Sequence, residues 1–271
     1  MIKFIADIGS NHGADIDRAV RLIEEAKRAG CSAAKFQLFD ASLTTNAKTA
    51  AVYERRALPI GFLPRLRGAC DAEGIEFHLT VTSYDTLEEG WQYAHALKIG
   101  SYEILHLELI KLAAGTGKPL SISTGGATPW EVKAAIIASM QGGHDLEKLI
   151  LYHCSPLYPA APETCGLNSM DMLRAHGVRR VGWSDHTVKP GVIYAAIGHG
   201  AEYIELHMDL DGLDGWESEH GHCWEASRVR RLIKTVRDGE EALKGSVADY
   251  ADMRLQRTDP GDGRRPLKAA R

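Results

Sequence analysis

Two histidines and two lysines sit where side chains do chemistry rather than pack. His186 follows the run Val181-Gly182-Trp183-Ser184-Asp185, and His207 closes Tyr203-Ile204-Glu205-Leu206-His207. Both runs read as short buried strands that stop on polar side chains. Parallel strands ending side by side would bring the two imidazoles together. Neutral imidazoles are common ligands of Zn, Mn, Fe and related divalent ions. With 12 histidines scattered along the chain, either one alone reads more readily as a satisfied loop residue; the matched strand ends single out the pair. Lys35 and Lys98 fall within apolar, strand-like runs. A buried ammonium is costly unless an anion neutralises it. Each therefore needs a bound anion or an internal carboxylate such as Asp7 or Glu103.

Other strand ends carry similar chemistry. The first gives Asp7 and then Gly9-Ser10-Asn11-His12-Gly13; the second carries Gln37; the third ends at Thr80. Beyond them come Ser101 and Glu103, then Ser121, Ser123, Thr124 and Gly125-Gly126, then His153, Cys154, Ser155 and Tyr158, and finally Ser184. Lysine point charges, hydroxyl donors and the N–H groups of a glycine-rich turn together make an anion site suited to phosphate. A run such as Ser123-Thr124-Gly125-Gly126 is by itself a common turn. The set gains force because its members share one end of the inferred sheet.

The elements that must position them alternate evenly. Short runs rich in Ile, Leu, Val and Phe at 2–8, 33–38, 76–80, 96–100, 118–122, 148–153, 179–183 and 202–206 read as strands. Helical spacing marks Ile16–Arg28, Phe62–Ala72, Thr86–Ala96, Gly191–Gly200 and Ala226–Leu243. Pro129–Met140 opens on Thr128 as N-cap with Pro129 at the first helical position. Eight strand–helix alternations without a break in composition predict an α/β fold, a single-domain (β/α)8 TIM barrel, with a doubly wound open sheet as the alternative. In a barrel the chemistry lies at the C-terminal strand ends.

The 271 residues suffice for one such barrel and its core. A hydrophobic fraction of 44%, a charged fraction of 25% and a net charge of -4 describe an ordinary globular chain with no call for nucleic acid or an acidic membrane. No apolar run reaches membrane-spanning length, and the first residues enter a strand with no signal-peptide core. Five cysteines at 31, 70, 154, 165 and 223 lack paired spacing, which predicts free thiols and a cytoplasmic setting.

Read as an ordered set, these segments resemble a known family. Ile5-Ala6-Asp7-Ile8-Gly9-Ser10-Asn11-His12-Gly13, Ala34-Lys35-Phe36-Gln37, Lys98-Ile99-Gly100-Ser101 and Ser121-Ile122-Ser123-Thr124-Gly125 are similar to motifs of the N-acetylneuraminate (sialic acid) synthases. So are His153-Cys154-Ser155, Tyr158-Pro159, Gly182-Trp183-Ser184-Asp185-His186-Thr187 and Ile204-Glu205-Leu206-His207. The resemblance implies a (β/α)8 barrel that condenses phosphoenolpyruvate with the open-chain aldehyde of an N-acetylated amino sugar, giving a 3-deoxy-2-ulosonic acid and phosphate. It implies a divalent metal, most often Mn2+, on the histidines matching His186 and His207. It assigns phosphoenolpyruvate contacts to Lys35, Gln37, Thr80, Lys98, Ser101, Ser123 and Ser184, and acidic residues near the reacting centre to Asp7 and Glu103. Tyr158 and Glu219 are expected on the acceptor side.

The chain also departs from the family pattern. Asp7 stands where glutamate is usual, and Pro156 where an amide or small polar residue often faces the sugar. The loop Gly215-Trp216-Glu217-Ser218-Glu219-His220-Gly221-His222-Cys223-Trp224 differs from the usual one. Its His220-Gly221-His222-Cys223 resembles a metal motif, but such a run is more often a solvated loop. The barrel is expected to occupy residues 1–245. Residues 246–271 resemble the linker into the family's C-terminal antifreeze-like domain, which is expected to be absent. Relatives exchange that domain to form dimers, so a homodimer is compatible with the resemblance but lacks its usual basis. Because the departures cluster on the acceptor side, the acceptor need not be N-acetylmannosamine. A metal-dependent aldolase or lyase acting without phosphate release, and a non-catalytic ligand-binding module, remain alternatives.

Overall fold

A computed structural model describes residues 1–43 and 46–244. Among these, eight parallel strands form the barrel: β1 Lys3–Gly9, β2 Ala33–Leu38, β3 Glu76–Val81, β4 Ala96–Ile99, β5 Leu120–Ser123, β6 Ile150–Cys154, β7 Arg180–Asp185 and β8 Tyr203–Asp209. They pair in sequence order, and β1 pairs with β8, which closes the sheet and excludes the doubly wound alternative. A two-residue strand, β9 Trp224–Glu225, adds to β8 in parallel.

The helices are α1 Ile16–Ala29, α2 Ala47–Arg56, α3 Leu63–Glu73, α4 Tyr84–Gly90, α5 Leu107–Gly115, α6 Pro129–Gln141, α7 Ser169–Ala175, α8 Pro190–Gly198 and α9 Ala226–Ala242. α1 forms because Asp15 accepts from the Asp17 and Arg18 N–H groups at its start, while Gly30, at φ 95°, ends it in the left-handed conformation. Its buried stripe is Ala19, Leu22, Ile23 and Ala26. α6 carries the expected start, a capping box between Thr128 and Glu131 with Pro129 at the first position. The helix expected over Thr86–Ala96 is shorter. Ser83 and Thr86 cap each other and set its start at Tyr84, it ends at Gly90, and Ala96 opens β4. α2, α5 and α7 were not expected; α7 is only seven residues long, too short for a helical period to show.

Met1–Ile233 form one compact unit and contain the whole barrel; Lys234–Arg271 form a second. In the second, Lys234 pairs with Asp238 at 2.9 Å and Lys244 with Glu241 at 2.7 Å. The expected tail at 246–271 lies outside the described residues. All five cysteines are free and buried. Among the described residues no helix is long and apolar enough to cross a membrane.

Register places the chemistry. Asp7 lies beside Lys35 on one side and His207 on the other; Gln37 faces Thr80, Thr80 faces Lys98, and Ser184 faces Glu205. Side chains on a strand alternate faces with period two. Ile5, Ala33 and Tyr203 therefore share the inward face with Asp7, Lys35 and Glu205, one layer nearer the strand starts. They pack with Tyr152 into a buried cluster that forms the floor below the polar layer.

Candidate active site

The polar layer is built on ion pairs. Lys35 Nζ lies 2.7 Å from Asp7 Oδ2 and 3.3 Å from Glu205 Oε1. Lys98 Nζ donates to both Glu205 oxygens, at 2.7 and 2.9 Å, and sits 4.4 Å from the Tyr152 ring centroid. Ser184 Oγ donates to Glu205 at 3.0 Å, Gln37 Nε2 to Asp7 at 2.9 Å, and Lys35 to Thr80 Oγ1 at 3.4 Å. All four charged groups are buried. Burial alone would lower the Lys35 pKa, but the Asp7 and Glu205 carboxylates outweigh it and raise it. For Lys98 burial prevails over Glu205, and its pKa falls. Burial works against ionised Glu205, yet the two lysines hold its carboxyl well below the usual range.

Of the internal partners expected for the lysines, Asp7 holds that place. Among the described residues Glu103 pairs with neither lysine, and Glu205 on β8 takes the role. Glu103 is partly buried beyond β4, and burial pushes its carboxyl up to about 7. Ser101 accepts from the Gly125 N–H at 3.1 Å and contacts Cys154 Sγ at 3.4 Å, tying the ends of β4, β5 and β6 together. Ser123 is buried at the end of β5.

Beside this layer stands a histidine cluster. The His186 and His207 ring centroids are 5.5 Å apart. Tyr158 stacks on His186 at 3.9 Å and meets His207 edge-on at 5.9 Å. The loop after β8 adds His222, buried, with its ring 4.6 Å from His207 and 5.1 Å from Tyr158. The solvated-loop expectation for this stretch is thus corrected: His222 and Cys223 are buried, while His220 is exposed. Glu219, expected on the acceptor side, is also exposed. The loop's inward carboxylate is Glu217, buried, with Oε2 2.7 Å from His207 Nδ1.

Glu217 is held by the first strand's loop. Ser10 donates to Glu217 Oε1 from N at 2.7 Å and from Oγ at 3.0 Å, and the Glu217 N–H donates to Asn11 Oδ1 at 2.9 Å. Gly9 has φ 52°, and a Cβ there would collide with the Glu217 carboxylate. The run after Asp7 is thus a cradle for Glu217. Asp185 proves to be structural. It is fully buried and accepts from Trp183 Nε1, Thr187 Oγ1, the Val188 N–H and Trp224 Nε1.

The donor chemistry suits a divalent cation. His186 Nδ1 is 2.8 Å from the Ser155 carbonyl, and His207 Nδ1 is held by Glu217. An imidazole whose Nδ1–H is committed to an acceptor offers its Nε2 lone pair to a metal. Burial and then the neighbouring His207 push His186 and His222 each down to about 3, so both are neutral. His207 runs the other way: Asp7 and Glu217 outweigh its burial and raise it. A pocket that favours positive charge at His207 favours a metal cation as well. Ligand atoms of His207, Glu217 and His222 lie within 4.8 Å of one another, a buried group able to hold a metal. Glu205 and Glu217 were not picked out from sequence. The signal for Glu205 was its place two residues before His207, on the same strand face.

Comparison with known proteins bears on the whole barrel. The NeuB family model matches residues 22–248. The spore coat polysaccharide biosynthesis protein SpsE of Bacillus subtilis is 31% identical over 94% of this chain and 72% of its own length. Its crystal structure superposes with a TM-score of 0.78, covering 90% of this chain and 69% of that one. An N,N'-diacetyllegionaminic acid synthase of Legionella pneumophila is 30% identical over 93% of this chain and 76% of its own. The fold is also that of an N-acetylneuraminic acid synthetase from Leptospira borgpetersenii, with a TM-score of 0.84 at 24% identity over 95% of this chain and 92% of that one.

Proposed function

This chain belongs to the NeuB family of phosphoenolpyruvate-condensing synthases of nonulosonic acids, and we propose that it joins phosphoenolpyruvate to a sugar-type aldehyde, which need not be N-acetylmannosamine. In that reaction C3 of phosphoenolpyruvate forms a bond to the aldehyde carbon. Water adds at C2, the C2–O bond breaks, and phosphate leaves, giving a 3-deoxy-2-ulosonic acid. The observation that carries the reading is the adjacency of the lysine layer and the histidine cluster at one barrel mouth.

Lys35 and Lys98, with Gln37, Thr80, Ser101, Ser123 and Ser184 around them, would receive the phosphate and carboxylate of phosphoenolpyruvate. Asp7 and Glu205 already balance the two ammonium groups. The incoming anion must therefore share the lysines with these carboxylates, and the cationic side of the pocket at His207 helps to offset its charge. His186 and His207 would hold a divalent ion, for which we favour Mn2+; when bound there it supplies Lewis-acid polarisation of the aldehyde oxygen. Glu103, with its raised pKa, suits deprotonation of the attacking water. Tyr158 flanks His186 on the acceptor side, and the inward carboxylate of the unusual loop is Glu217. The named relatives do not share a product, so their names do not select the acceptor. Buried free thiols fit a cytoplasmic setting.

The test is phosphate release from phosphoenolpyruvate with Mn2+ and a panel of amino-sugar and other sugar aldehydes. Release dependent on one of the aldehydes supports the reading, and the panel identifies the acceptor. No release with any aldehyde, together with no calorimetric binding of phosphoenolpyruvate, overturns it. Product formation without phosphate release would instead identify an aldolase or lyase.

A further inference from the structure

The family resemblance supplies two imidazoles for the metal and says nothing of His222. That residue lies in a loop that departs from the family pattern, yet it is only 3% exposed. A buried imidazole ordinarily satisfies its polar nitrogens. His222 Nδ1 is buried with no hydrogen-bond partner among the described residues, and Nε2 stands 3.9 Å from Glu217 Oε2, too far for a hydrogen bond. The ring faces His207 at 4.6 Å and His186 at 6.5 Å between centroids.

The chain on either side fixes that position. Gly221, at φ 72°, makes the turn before it. After it, Cys223 Sγ receives the Asn11 amide at 3.5 Å, Trp224 Nε1 donates to Asp185 at 3.1 Å, and Trp224 pairs in register with Met208 of β8. Packing alone would be met by any flat ring. The His222 nitrogen that approaches Glu217 is Nε2, at 3.9 Å, and ligand atoms of His207, Glu217 and His222 lie within 4.8 Å of one another, close enough to share one ion.

We propose that His222 is a third imidazole ligand of the divalent ion held at His186 and His207, with Glu217 alongside. The inference rests on the reading that this site takes a divalent ion. The consequence is that the β8–β9 loop fills a coordination position with protein, leaving fewer positions for water and substrate.

The test is metal binding without substrate. Co2+ titration, followed by calorimetry and by the visible ligand-field bands, compares the wild type with His222→Phe, which keeps a packed ring but removes both nitrogens. The expected result is Co2+ binding weakened roughly tenfold or more, with shifted bands and an unchanged fold by circular dichroism. Unchanged affinity and bands in His222→Phe overturn the proposal. Should that variant fail to fold, electron–nuclear double resonance on Mn2+-loaded wild type with 15N-labelled histidine decides the matter. Three coordinated imidazoles support the proposal and two overturn it. Absence of any ion at the wild-type site removes the metal reading itself, an outcome distinct from a count of two.

Discussion

Lys98 and Glu205 are bound to each other through both carboxylate oxygens, at 2.7 and 2.9 Å, in the interior of the barrel, and Lys35 shares the same carboxylate at 3.3 Å. Two ammonium groups and two carboxylates, Asp7 being the second, form one buried network. Removing one partner of a buried pair leaves an uncompensated charge, which costs about 3–5 kcal/mol. Glu205→Gln should therefore destabilise the protein by that order in urea denaturation. The Lys98→Met/Glu205→Gln double variant should recover a good part of the loss, because the stranded ammonium goes with its partner. A double variant as unstable as the sum of its singles would show the pair to be uncoupled.

The raised pKa of Glu103 carries a pH dependence with a definite sign. Burial favours its neutral form, so the carboxyl is protonated below about 7 and able to accept a proton only above it. If it deprotonates water, kcat/KM should fall about tenfold per unit as pH drops below 7. In Glu103→Gln that limb should vanish and the rate should drop by about 10^2 to 10^4. A Gln variant that keeps the limb would assign it to another group.

The barrel was legible because each strand is a short apolar run and the polar residues gather at one end of each. Lys35, Lys98, His186 and His207 were legible for the same reason: a charge or imidazole in an apolar strand stands out. Glu205 did not stand out, because the sequence shows that Lys98 needs an anion without showing which strand the closing of the barrel brings across to it. Glu217 and Glu219 lie two apart in one loop. Only the Ser10 and Asn11 hydrogen bonds decide that the first faces inward, and those contacts join loops about two hundred residues apart in sequence. α2, α5 and α7 were missed because short helices in loop-rich stretches show too little period to separate from turns.

Asp185 is next to a candidate ligand yet takes its importance from packing. Its two oxygens accept from two indole N–H groups, a hydroxyl and a backbone N–H. Asparagine presents an NH2 where one oxygen stood, and whichever side it takes, an indole donor loses its acceptor. Asp185→Asn should cost about 2–3 kcal/mol, seen as a lower urea midpoint with unchanged slope. Because Trp224 anchors the segment after His222, Co2+ affinity should fall as well. A variant of wild-type stability would refute the structural role.

Gly9 and Gly13 offer a paired test of the cradle around Glu217. Both have positive φ, 52° and 59°, so alanine at either pays a similar backbone strain, about 1–2 kcal/mol. They differ in what a Cβ meets. At Gly13 the nearest atom is on Trp216, 3.9 Å away, an ordinary contact; at Gly9 it is the Glu217 carboxylate, in collision. Gly9→Ala must push that carboxylate off Ser10 and His207, whereas Gly13→Ala need move nothing. The expected outcome is that Gly13→Ala lowers the urea midpoint modestly and leaves Co2+ binding intact, while Gly9→Ala lowers the midpoint further and weakens Co2+ binding. Equal effects of the two substitutions on metal affinity would mean that the position of Glu217 does not govern the metal pocket.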